Sequence, residues 1–115
     1  MGVDRSDYIV YGWKLPYEIL DNDGNEIDLW RDNKYSSMIE GHKGEKYTII
    51  SDGMCGDYNV FGLLIASCDG DYEGWGFVNI NLDIINQDEV KLKYLEVFDR
   101  EPNSNPELII FSHFH

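Results

Sequence analysis

The sequence predicts an α+β fold: a mainly antiparallel sheet of about four to six strands with one long helix packed on one face. Three observations lead there. Several stretches are dense in aromatic and β-branched residues, as strands are. Two of them, Lys46–Asp52 and Tyr58–Cys68, flank a glycine-framed turn, Gly53-Met54-Cys55-Gly56, which reads as a β-hairpin. One segment, from Asp83 to Arg100, repeats apolar residues at helical spacing.

Taken in order, Tyr8–Leu15 is the first strand and stops at Pro16. Residues 17–30 alternate on both sides of Asn22-Asp23-Gly24-Asn25 and predict a small hairpin, with a short helical turn as the competing reading. Tyr35, Met38 and Ile39 predict a helix of about two turns within Arg31–Gly41. In the central hairpin Tyr47, Ile49 and Ser51 share one face and Thr48, Ile50 and Asp52 the other. Val60–Ala66 is nearly continuously apolar, which implies burial on both faces, and Gly62 marks an expected bulge. Phe77–Leu82 alternates as a short strand or an extended lead into the helix. Asp83 is the expected N-cap, and Ile85, Leu92, Leu95 and Phe98 are the expected buried face. Pro106–His115 is the last strand.

At 115 residues the chain forms one domain, 1–115, with room for a core. It carries 22 acidic against 9 basic residues, a net charge of −13, so it repels nucleic acid and anionic membranes and attracts basic surfaces. Its aromatic fraction, 14 %, excludes a disordered acidic tail. No apolar run spans a membrane, the start MGVDRSDY has no signal-peptide pattern, and Gly2 with Ser6 lacks the basic cluster that would accompany a lipid anchor. Cys55 and Cys68 are too few for a disulfide framework, and Cys68 is expected near Glu40–Lys43, far from Cys55. Two free thiols fit a reducing cytoplasm.

Candidate chemistry is thin. Setting Gly24 as the sixth position of a calcium loop places Asp21 and Asp23 correctly but puts Ile19 first and Trp30 twelfth, so a solvated turn explains the segment better. His113 and His115 point the same way on a strand and are candidate metal ligands with Asp52 or Glu107, although the spacing of a full zinc site is missing. Cys55 would need a histidine from the last strand to become a nucleophile, and the flanking Asp52 and Asp57 oppose a thiolate. No phosphate-binding glycine motif is present, no carboxylate pair is set apart for glycoside chemistry, and no cofactor is expected.

The acidic loops carry the strongest signal. Asp69, Asp71 and Glu73 interleave with Tyr72 and Trp75, and Asp21, Asp23, Glu26, Asp28 and Asp32 form a second cluster. Carboxylates on alternate strand residues lie about 6.7 Å apart, close to the phosphate spacing of a DNA strand. A solvated face that keeps the protein soluble is the plain alternative.

Several of these pieces together resemble a group of small, acidic, mostly uncharacterised phage proteins: Tyr11–Ile19 (YGWKLPYEI), Ser51–Tyr58 (SDGMCGDY), the YEG of Tyr72–Gly74, and the terminal FSHFH of Phe111–His115. The resemblance implies a phage origin and a host-cytoplasmic setting, and it carries no activity. The expectation is a non-enzymatic protein that binds and inhibits a basic, nucleic-acid-binding host or defence protein, with nucleic-acid mimicry as one form of it. Asp69, Asp71, Tyr72, Glu73, Trp75, Asp21, Asp23 and Asp28 are the expected partner contacts. The alternatives are a nucleotide-signal sponge stacking its ligand on Trp13, Trp30 and Tyr58, and a metal-dependent enzyme built on His113 and His115. Self-association is left open.

Overall fold

The computed structural model describes residues 5–39, 46–69 and 79–114, the side chains of Asp69 and Ile84 excepted. Its elements are β1 (Arg5–Leu15), α1 (Asn33–Ser36), β2 (Tyr47–Ser51), β3 (Asn59–Asp69), α2 (Gln87–Phe98) and β4 (Glu107–Phe114). The strands form one four-stranded sheet in the order β2-β3-β1-β4, antiparallel throughout. The α+β class and the four main strands agree with the sequence reading, at the lower end of its strand count.

Side-chain alternation gives the sheet two apolar faces. Trp13, Tyr47, Ile49, Phe61 and Leu63 pack beneath Val90, Tyr94, Val97 and Phe98 of α2, with Ile19, Leu29, Tyr35, Met38 and Ile39 closing the same core. Tyr8, Val10, Ile50 and Val60 form a second buried cluster, flanked by Tyr58, Leu64, Ile109 and Phe111. Burial on both sides explains the unbroken apolar run of β3.

The second face is buried because the sheet coils onto itself. Asn59 pairs with Leu15, whereas His113 pairs with Ser6. Nine residues of straight β1 would separate those positions by about 30 Å. Yet the Tyr58 hydroxyl lies 2.9 Å from His113 Nδ1. The bend is located by Gly12 and Gly62, which face each other across β1 and β3. A Cβ on Gly12 would collide with the Phe61 carbonyl, and one on Gly62 with the Tyr11 carbonyl. Gly62 is therefore a site of close backbone approach. The expected bulge is elsewhere: Ile9 pairs with Ala66 and Val10 with Leu64, which leaves Ile65 as the extra residue.

Several expectations need correction. The helix is of ordinary length, 12 residues, and its cap is Asn86, whose side chain accepts from the Glu89 N–H. Asp83 sits instead inside a 3₁₀ turn, Leu82–Ile84, capped by Asn81. The buried stripe is Val90, Tyr94, Val97 and Phe98, while Leu92 and Leu95 face solvent. Lys93 is half-buried beside this stripe, its ammonium 5.5 Å from the Tyr47 ring centre. The small hairpin expected in residues 17–30 is present in minimal form, as one antiparallel bridge, Leu20 to Glu26, with Asp21 N–H donating to the Asn25 carbonyl and Ile27 N–H to that of Ile19. The short helix is four residues long. Cys68 faces Asp7 on β1, and Glu40–Lys43, where its neighbours on the other side are expected, lie outside the described residues. The expected strand Phe77–Leu82 lies partly outside the described residues, and its remainder is not a strand.

Candidate functional site

The turn after β1 is built by its own carboxylates. Asp21 Oδ1 accepts from the N–H groups of Asp23 and Asn25, both at 2.9 Å, and Gly24 supplies the positive φ of 85°. Asp28 Oδ1 accepts from the N–H groups of Trp30 and Arg31 at 3.2 Å, and Asp32 caps α1. The turn is tied to the end of α2, where Arg100 donates to the Leu20 carbonyl and Asn22 to that of Asp99. Thus Asp21 and Asp28, expected as partner contacts, spend part of their acceptor capacity on the backbone. Asp23 and Glu26 are exposed. These acids lie on turns, so the regular spacing that strand placement would give them is absent.

The segment encloses an open groove of about 370 Å³ lined by Tyr17, Glu26, Ile27, Asp28, Leu29, Trp30 and Ser51. Trp30 is 53 % exposed there and Tyr17 is also exposed. Leu29 and Ile19 anchor the segment in the core. Sequence reasoning found the acids and Trp30 separately; Tyr17 and Ser51 come to the groove only through the fold.

A second cluster surrounds the loop between β2 and β3. The buried Asp52 carboxylate accepts from the N–H groups of Cys55 and Asp57, each at 3.1 Å. Burial works to raise its pKa, but these hydrogen bonds, one from Met54 and the charge of His113 outweigh it, and the pKa falls below the usual 3.8. Gly56 supplies the positive φ of this loop. Tyr58 has its pKa raised by burial and then by Asp52, Cys55 and Asp57, so the phenol stays protonated beside His113.

His113 is fully buried against Tyr58 and Tyr8. His115 lies outside the described residues. Among the described residues one group has metal-binding composition, Asp52, Cys55 and Asp57, and its two Asp52 oxygens are already held by the backbone. Cys55 is exposed and free.

Of the other expected contacts, Asp69 ends β3 opposite Ser6, its side chain outside the description, and Asp71, Tyr72, Glu73 and Trp75 lie outside the described residues. Trp13 is buried and donates to the Ser104 carbonyl, so it offers no stacking platform. No helix among the described residues is long and apolar enough to cross a membrane. No protein-family model, curated protein or solved structure matches the chain.

Proposed function

We propose that this is a non-enzymatic binding protein that docks on a basic surface of another protein, and inhibits that partner by covering the surface. One observation carries the reading: exposed Trp30 and Tyr17 line the same groove as Glu26 and Asp28. An aromatic wall beside carboxylates suits a lysine or arginine side chain, which gains from the ring face and from the negative charge together. The net charge of −13 adds long-range attraction for such a partner. The turn-borne acids favour side-chain capture over imitation of a phosphate row. The resemblance to small acidic phage proteins makes a host or defence protein, in the host cytoplasm, the expected target.

Affinity capture from the producing cell tests the reading with charge-matched variants. Glu26→Lys should lose a basic partner that the wild type and Asp88→Lys both retain, since both positions are exposed. Equal retention by the two variants would reject the groove. Reversal of Asp71 and Glu73 tests the other acidic loop separately.

A further inference from the structure

The two edges of the sheet are finished differently. Along β2, the outer edge is covered: Ile49 N–H donates to the Met38 carbonyl at 2.8 Å, the Thr48 hydroxyl bonds the same carbonyl, and Ile39 bridges Ile49 in parallel. Along β4, β1 is the one strand neighbour among the described residues. An uncovered edge is a template for another strand unless proline, lysine, a bulge or an inward charge blocks it. The sequence of β4, ELIIFSHF, contains no proline or lysine, and its pairing with β1 runs without a register shift.

The side chains on β4 carry the same message. Ile109, Phe111 and His113 turn into the coiled interior. The alternating Leu108, Ile110 and Phe114 are 40 %, 62 % and 52 % exposed. Of the chain's 22 acidic residues, Glu107 alone lies on this strand. Two copies that each carry −13 repel strongly unless they meet where charge is sparse. This edge is such a place, and turning the strand antiparallel to itself about Ile110 sets Ile110 against Ile110 and Leu108 against Ser112. Ser112 Oγ, donating to Asp7 Oδ1 at 2.6 Å, holds the end of the strand in its extended form.

We propose that β4 is a homodimerisation edge: β4 of a second copy pairs antiparallel with it about a two-fold axis near Ile110, joining two sheets into one of eight strands. The main-chain groups of the edge then bond across the axis, Ile110 is shielded by its own symmetry mate, and Leu108 lies against Ser112 of the partner copy. Because the net charges oppose association, added salt tightens this dimer.

Sedimentation equilibrium on the full chain, from about 1 to 100 μM, reads the mass directly. The wild type should show twice the chain mass at the upper end, and association should strengthen between low and high salt. Ile110→Lys should weaken association by at least about tenfold. Leu92→Lys, at an exposed leucine of α2, should leave it unchanged. Circular dichroism shows whether each variant is folded, and Ile110→Cys gives an independent reading: oxidation should link two copies through position 110, mapped by peptide mass. A monomeric wild type at the highest concentration overturns the proposal. So does a dimer that survives Ile110→Lys, or one that Leu92→Lys disrupts instead.

Discussion

The acidic groove and the β4 edge divide the surface chemistry of this protein between them. The groove lies on a turn whose carboxylates shape their own backbone, with aromatic rings exposed among them. The β4 edge is regular strand, nearly free of charge, with an apolar row facing solvent. On the two proposals, charge attracts a basic partner to the first and is screened by salt, whereas pairing at the second is opposed by net charge and relieved by salt. The two proposed surfaces therefore differ in the sign of their expected salt response. In the proposed dimer, the strong net charge is tolerated because it is unevenly spread.

The coil of the sheet holds both surfaces in place, so breaking it should have the largest effect. Gly62→Val would drive a side chain into the Tyr11 carbonyl and the Gly12 backbone. A loss of about 3 kcal/mol or more is expected, seen as a collapse of the urea midpoint and loss of both binding behaviours. Next in size is separation of the two surfaces. Glu26→Lys should abolish partner capture and leave the sedimentation behaviour intact, and Ile110→Lys should do the reverse. A smaller effect is expected at Tyr58, which spans the coil to reach His113. Tyr58→Phe should cost about 1 kcal/mol in chemical denaturation, since a partly buried hydrogen bond is lost with little change in packing.

The smallest effect is a pH dependence. The native pKa of Asp52 lies below its ordinary 3.8, so its stabilisation is complete above that value and is lost as pH falls through the native pKa. Asp52→Asn should therefore be less stable than the wild type by about 1 kcal/mol at neutral pH. That gap should narrow as acid titration proceeds below 3.8, where the wild-type carboxylate also takes up its proton. A gap that stays constant into strong acid would contradict the role given to the charged carboxylate.

The main strands were legible because period-two alternation and aromatic, β-branched residues report directly on the pleat. The alternation of β2 survives in the structure, with Tyr47 and Ile49 on the helix side and Ile50 on the other. The face of α2 was not legible. Leu92 and Leu95 fit a helical repeat as well as Val90, Tyr94 and Val97 do, and only the position of the sheet selects between them. The cap was misplaced at Asp83 for a similar reason: Asn81 and Asn86 are equally good cap residues, and the hydrogen bonds show that they serve.

The same division holds for the candidate surfaces. By itself, the sequence determined the α+β class, the four principal strands, the acidic character and the absence of familiar catalytic motifs, because these depend on local pattern and composition. Tertiary structure decided the rest. It turned Asp21 and Asp28 into turn builders, brought Tyr17 and Ser51 beside Trp30, and curled the sheet until Tyr58 met His113. It also covered the β2 edge and, among the described residues, gave β4 no strand neighbour but β1. Those outcomes depend on which distant residues share space, and pairings across 55 positions, as between Tyr58 and His113, leave no mark in any local stretch of chain.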